Sequence, residues 1–248
     1  MARVAERPGA DDAPGYRAVL RDGRFTRIWF AGGIAGTLRW LEMLAVGVFT
    51  FQLTGSPALV ALMTFMRLGP MLLVGLPTGA LAERFDRKSL MLIGLAVLTL
   101  ANLAVGLLAL GGRLELWHLA ASAFLNGVYF TSEFPVRRTM MGEIVGASKL
   151  ARAMALDSMT SNETRALGPV LGGVLLDATG LAGAFLLGTL GYAAAFLLVL
   201  PLDYRPASSS RRVGFISGVA EGVRFAASSP VVRTTLLVTV IFNVFGFA

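Results

Sequence analysis

The chain has 248 residues, of which 55% are hydrophobic and only 15% are charged, and its mean hydropathy is +0.70. Soluble domains carry about 25% charged residues, so the composition excludes an ordinary soluble domain and indicates a membrane protein. The net charge of +7 would suit a nucleic acid. The basic residues stand between apolar runs, however, as they do in loops that contact anionic lipid, so we expect the lipid bilayer and no nucleic acid as a partner.

Several classes of site are missing from the sequence. There is no cysteine, which excludes disulfides and thiolate metal sites. No nucleotide-binding loop, zinc-protease pair or hydrolase elbow occurs. We therefore expect neither enzyme activity nor a cofactor or metal.

The first 27 residues are polar and rich in arginine. Residues 1–15 contain two Pro-Gly pairs and are predicted to be a disordered cytoplasmic tail. Residues 16–27 are predicted to lie at the membrane surface. The first apolar run begins near Ile28 and is too long for a signal-peptide core.

Seven apolar runs follow. Each suits a transmembrane helix, because a hydrocarbon core of roughly 30 Å takes about 20 helical residues. Six of the runs form a predicted bundle over residues 28–202. A linker over 203–229 contains a predicted amphipathic helix, and 230–248 begins a second bundle. The predicted spans are 28–53, 58–82, 89–110, 116–132, 151–176, 181–202 and 231–248.

The distribution of Lys and Arg predicts the orientation. Of the 22 basic residues, 18 lie on the side of the N-terminus, three lie within spans, and only Arg113 lies in an opposite loop. Basic loops stay in the cytoplasm, so we expect a multi-pass protein of the cell membrane with a cytoplasmic N-terminus.

A highly charged turn separates the second and third spans. Residues 75–88 read GLPTGALAERFDRK, with five charges in the last six positions. We expect the glycine to allow close helix packing, the first acid to cap the next helix, and the basic residues to bind anionic headgroups. The residues of this predicted gating loop are Gly79, Glu83, Arg84, Asp86, Arg87 and Lys88.

This pattern, G-x-L-A-acid-R-x-x-R-K, resembles the loop between the second and third helices of major facilitator superfamily transporters. The resemblance covers the chain from about Phe25 to its end. It implies that Glu83 and Arg84 latch two six-helix bundles together on the cytoplasmic side. Glu83 stands where the family usually has Asp, and Asp86 where it often has Gly, which affects the expected geometry of the latch.

The resemblance implies an all-α membrane protein, namely a six-helix N-terminal bundle made of a 3+3 inverted repeat, plus a seventh transmembrane helix. An internal repeat agrees with it, since Arg67 is followed by Gly69-Pro70 and Arg165 by Gly168-Pro169. Coincidence is the alternative for these common pairs. A second bundle is expected from the same reading frame or from a partner chain; a fragment is favoured over a half-transporter.

Span five carries a second likeness. Gly168, Pro169, Gly172 and Gly173 resemble a motif of exporters in the superfamily, although its upstream glycines are missing. The outer turn at residues 51–57 and the charged loop together resemble the secretion-effector branch, which includes siderophore and drug exporters. Close packing of small residues is the alternative explanation of the glycines.

Six charges fall within the predicted spans. Each costs about 2.5–3.5 kcal/mol at mid-membrane, so each should face the bundle interior or water. Glu42, paired with Arg39, is the first candidate for proton coupling; Asp157 is the second, and Glu163, which points away from the glycines, is the third. The alternative is that the charges only pair to fix the helices. The six candidates for the proton and substrate pathway are Arg39, Glu42, Arg67, Asp157, Glu163 and Arg165.

The sequence thus predicts a secondary active transporter that exports a small amphipathic compound, such as a drug, siderophore or secondary metabolite, with proton coupling. A non-transporting membrane bundle that assembles with a partner, or a truncated transporter, is the alternative from another class. An uptake transporter of the same fold is the third possibility.

Overall fold

The computed structural model describes residues 15–204 except Phe85, together with Ser228, Thr234 and Val238; the side chains of 72–84 are not described. Most of the predicted seventh span, of the linker with its amphipathic helix and of the N-terminal tail lies outside the described residues. The described part is all-helical. Its helices are α1 Tyr16–Leu20, α2 Gly23–Thr54, α3 Pro57–Arg84, α4 Arg87–Leu110, α5 Leu116–Val145 and α6 Leu150–Val199.

Helix α6 consists of two segments. The backbone breaks at Gly180, where φ is 65° and ψ is −177°, a conformation that glycine adopts without a steric penalty. A straight helix would separate Gly168 from Gly191 by about 34 Å. Both glycines instead pack on neighbouring residues of α2, Trp40 and Leu38 respectively, so the chain doubles back at Gly180. The two segments correspond to predicted spans five and six.

Three of the described helices are long and apolar enough to cross a membrane, namely α2, α4 and α6. Within α3, residues Pro57–Met71 form a shorter apolar stretch. Many large apolar side chains on these helices are exposed, among them Leu100 and Leu190, which suits contact with lipid. The described part is therefore built as a multi-pass membrane bundle.

Helix α5 differs from its prediction. The predicted span ended at residue 132, but the helix continues to Val145. Its added part buries Val136, Met140 and Met141 in an apolar cluster with Phe25 and Ile28 of α2. This apolar face keeps the helix folded against the bundle although its sequence carries several charges.

Glycines permit close contacts between helices. A Cβ at Gly168 would lie 2.7 Å from Cβ of Trp40, and one at Gly172 would lie 2.9 Å from Cα of Leu41. The glycine half of span five thus packs on α2. Gly173 has more room, since its nearest neighbour, Leu44, is at 3.8 Å. Pro169 lies within the helix between them.

Candidate functional site

A buried hydrogen-bonded network lies at the centre of the bundle. The Glu42 carboxylate on α2 is 2% exposed and accepts a hydrogen bond of 2.7 Å from Nδ2 of Asn126 on α5. The same amide nitrogen lies 3.1 Å from the hydroxyl of Tyr192 on α6. The Asn126 amide thus connects three helices and fixes the position of the Glu42 carboxylate.

Arg67 on α3 completes this network. Its Nη2 donates to Oδ1 of Asn126 at 2.8 Å and to the backbone carbonyl of Arg39, also at 2.8 Å. Asn126 therefore connects the Arg67 guanidinium to the Glu42 carboxylate. An amide suits this place because it has both an acceptor and a donor.

The predicted pair of Arg39 and Glu42 is not formed. The Arg39 guanidinium lies 3.9 Å from the ring centre of Phe130 and 5.2 Å from that of Trp40. Within the described part of the chain, no carboxylate lies within ion-pair distance of Arg39. Residues three apart on a helix are about 60° apart around its axis, and here the two side chains face different neighbours. Arg39 gains cation–π contacts instead.

One oxygen of Glu42 lacks a donor. Oε1 of Glu42 and Oδ1 of Asn102 on α4 are buried acceptors with no hydrogen-bond partner among the described residues. Both lie beside Gly188, where a Cβ would be 3.8 Å from the first oxygen and 2.5 Å from the second. A proton on Glu42 would supply a donor at this point, so the surroundings accommodate the protonated carboxyl group.

A cavity of about 340 Å³, the large cavity, opens next to the network. It lies between α2, α3, α5 and the first segment of α6, and its volume is at the lower end of the range of about 300–1,000 Å³ for small-molecule sites. None of the described residues that line it is acidic. The lining residues include the arginines Arg39, Arg67 and Arg165, the aromatic residues Trp40 and Phe130, and the polar residues Thr64, Ser161 and Asn162.

A second charged cluster lies nearer the end of α5. Arg137 is buried and forms ion pairs with Glu133, one turn away, and with Asp157 on α6. Asp157 is 1% exposed and also accepts a hydrogen bond of 2.8 Å from Nε of Arg138. The cluster holds two acids and two arginines, so its charges balance. Asp157, the second proton-coupling candidate, is thus held by two cations.

The predicted charges of α6 take different places. Arg165 and Arg67, the two arginines of the predicted repeat, line the same large cavity. Glu163 is exposed and is not among the residues that line it. The 3+3 repeat itself remains a prediction.

The comparisons with known proteins agree with this architecture. Residues 15–248 match the family described as transmembrane secretion effector, within the major facilitator superfamily. The chain belongs to this family. Its curated relatives carry the names of transporters and exporters.

Three relatives of this secretion-effector chain illustrate the match. The chain is 27% identical over 207 residues to the uncharacterized MFS-type transporter YfiS of Bacillus subtilis, covering 80% of this chain and 48% of the relative. It is 24% identical to the Staphyloferrin A transporter of Staphylococcus aureus, over 67% and 42% of the two chains. It is 26% identical to the enterobactin exporter EntS of Shigella boydii, over 88% and 50%. The chain spans about half the length of the curated relatives it matches.

The charged loop of this secretion-effector protein is partly described. Asp86 is the N-cap of α4, because its Oδ2 accepts from the backbone N and the Oγ of Ser89, both at 2.9 Å. This corrects the prediction that Glu83 caps the helix. Arg87 donates to Glu143 of α5 at 2.6 Å and lies 3.1 Å from the Tyr204 hydroxyl, so it binds protein groups where lipid was predicted. Lys88 is half-buried. The surroundings of Gly79 and the side chains of Glu83 and Arg84 are not part of the described structure.

Several polar residues of this site were missed by the sequence analysis. Asn102, Asn126 and Tyr192 carry no charge, and single uncharged polar residues are frequent in transmembrane helices. Glu133 and Arg137 were assigned to a loop, although their spacing of four residues is that of a helical ion pair and could have indicated a longer helix.

Proposed function

We propose that the chain forms the first half of a secondary active transporter, which exports a small amphipathic compound and couples this movement to protons. The observation that carries the proposal is the large cavity with its adjoining network. Charged groups inside a membrane bundle are costly and are retained where they serve a pathway. A second helical bundle, from the same reading frame or a partner chain, would close the cavity; this chain with that bundle is called the complete transporter below.

The cavity suits an amphipathic substrate. Its aromatic walls at Trp40 and Phe130 can contact an apolar part, while Arg39 and Arg67 offer hydrogen-bond donors to a polar part. Relatives named as siderophore and multidrug exporters support export and this broad substrate class.

Glu42 is the acid that the geometry favours for proton coupling. It has one bonded and one unpartnered oxygen among the described residues, and it is connected to the cavity through Asn126 and Arg67. The positive charge of Arg67 favours the charged form of the Glu42 carboxylate. A substrate that moves Arg67 away removes this stabilisation, and protonation of Glu42 can follow. Asp157 lacks this freedom because two arginines hold it.

Everted membrane vesicles that contain the complete transporter test the proposal. Ethidium and 1-naphthoate serve as cationic and anionic amphipathic probes. We expect an imposed proton gradient to drive accumulation of at least one probe, a protonophore to abolish it, and Glu42→Gln to remove the dependence on the gradient. Accumulation of neither probe in everted vesicles would contradict export of this class, and accumulation in right-side-out vesicles instead would favour the uptake alternative.

A further inference from the structure

A small polar cavity of about 70 Å³ lies between α2, α5 and α6. One water molecule takes about 30 Å³ in the liquid, so the cavity has room for about two. Tyr129 lines the cavity, and its hydroxyl is buried without a hydrogen-bond partner among the described residues. Its ionisable and hydrogen-bonding wall residues include Asn126, Tyr129, Glu133, Arg137, Asp157 and Tyr192.

The cavity joins the two buried clusters of the bundle. At one end lie Glu133 and Arg137, from which the chain of ion pairs continues to Arg138, whose side chain is 34% exposed. The wall of the cavity also includes Asn126, which donates to the Glu42 carboxylate, and Tyr192, whose hydroxyl lies 3.1 Å from the same amide nitrogen. The polar residues between the partly exposed Arg138 and Glu42 are thus joined by ion pairs, by a hydrogen bond and by the shared wall of this cavity.

Glu133 is the less constrained of the two acids on this route. It has one arginine partner, Arg137, whereas Asp157 has two. When Glu133 is protonated, Arg137 keeps its ion pair with Asp157, so no arginine is left unpaired. The charged and titratable groups that face Glu133 are Arg137 and Tyr129 on its own helix, Arg39 on α2, and Asp157 on α6 through Arg137.

We propose that this cavity holds water and that Glu133 relays protons between Glu42 and the end of the bundle at Arg138. The proposal rests on the proposed function, because it assumes that Glu42 carries the coupled proton. On release, the O–H bond of the Glu42 carboxyl group breaks and its proton passes through Tyr192 or water to a carboxylate oxygen of Glu133. The O–H bond formed on Glu133 then breaks, and its proton passes to a water molecule of the cavity and from there to solvent, so no other reactant is required.

The test measures proton exchange by the purified complete transporter. A stopped-flow pH jump with a fluorescent pH indicator gives both the rate and the final number of protons exchanged. We expect Glu133→Gln to slow the exchange by about tenfold or more, as loss of a proton-transferring group does. The final number of protons exchanged per transporter should fall by no more than the one proton that the Glu133 carboxyl group itself can bind. Asp177→Asn, which removes an exposed acid elsewhere on α6, is the matched control and should leave the rate unchanged.

Chemical rescue separates a relay from a structural role. Added azide, a small weak base that can carry protons, should restore the rate of Glu133→Gln, and Glu133→Asp should retain most of it. An unchanged rate in Glu133→Gln, or a slow rate that azide does not restore, would overturn the relay. Glu42→Gln distinguishes the two proposals. If Glu42→Gln leaves the substrate-linked proton exchange as in wild type, the proposed function fails together with the relay. If Glu42→Gln abolishes this exchange but Glu133→Gln does not give the expected result, only the relay is overturned.

Discussion

Glu42 and Arg67 lie on different helices, and one amide connects them. Asn126 donates to the carboxylate at 2.7 Å and accepts from the guanidinium at 2.8 Å. The acid and the base are thereby held in one network without a direct ion pair between them. Such an indirect connection lets each charge respond to the other and still rearrange, which a transport cycle requires.

The first prediction concerns this amide. Asn126→Ala removes an acceptor from Arg67 and a donor from Glu42, and leaving buried polar groups unpaired costs about 1–3 kcal/mol each. We expect a clearly lower thermal unfolding midpoint of the detergent-purified protein. Asn162→Ala, which removes an exposed amide from α6, is the control and should change the midpoint little. Equal midpoints for both variants would show that the network does not stabilise the bundle.

The second prediction concerns the contact of α3 with α5. A Cβ at Gly127 would collide with the backbone carbonyl of Arg67, whereas a Cβ at Gly69 would meet nothing within 4 Å. Gly127→Ala should lower stability by about 1–3 kcal/mol, because the two backbones must separate. Gly69→Ala should be neutral or stabilising by up to about 1 kcal/mol, since Ala favours helix. Denaturation in mixed micelles measures both, and destabilisation of similar size in the two variants would contradict the packing.

The sequence predicted the helices well and their polar contacts poorly. The boundaries of α2, α4 and the two segments of α6 follow from long apolar runs, because hydrophobicity decides which segments enter a membrane. The extension of α5 did not follow, because the charges of Glu133 and Arg137 made this part resemble a loop. Their burial depends on Asp157, twenty residues beyond Arg137, and a rule based on local composition contains no such partner.

Arg39 shows a different limit. Its spacing to Glu42 predicted a pair, and that pair would be possible on an isolated helix. In the bundle, the Phe130 ring lies on the neighbouring α5, and Glu42 finds Asn126. Local spacing indicates which contacts are possible, while the packing of other helices determines which of them form.

The third prediction concerns orientation. Single cysteines at Ser56 and Ser89 in this cysteine-free chain should label from opposite sides of the membrane. Ser56 immediately precedes α3 and Ser89 lies in the first turn of α4, so the two positions flank the ends of one predicted span. An impermeant maleimide should reach the first site in intact cells and the second only after lysis. Labelling of both sites from one side would contradict the predicted topology.

The fourth prediction concerns the contact among Arg87, Glu143 and Tyr204. Burial, together with the hydrogen bond that the Tyr204 hydroxyl donates to Glu143, raises the pKa of Tyr204 to about 12. Because the folded-state pKa lies above the ordinary value of 10.0, the stabilisation is complete below pH 10.0 and is lost as the pH rises toward about 12. Wild type should therefore lose more stability over this interval than Tyr204→Phe. Parallel unfolding midpoints of the two proteins across the interval would exclude the contact.

The last prediction separates Glu42 from Asp157, the first two of the three acids proposed for proton coupling from the sequence. Asp157→Asn leaves Arg137 with one acid and Arg138 with none from this cluster, so two buried or half-buried cations lose their shared partner. Removing one partner of a buried ion pair lowers the free energy of unfolding by about 3–5 kcal/mol, so we expect Asp157→Asn to be poorly folded. Glu42→Gln keeps a group that can accept from Asn126 and adds a donor facing Asn102, so this variant should fold as wild type does. Thermal unfolding of both variants and proton exchange on addition of substrate to the complete transporter measure the difference. A stable Asp157→Asn variant that has lost proton exchange, beside a Glu42→Gln variant that retains it, would assign the coupled proton to Asp157 instead.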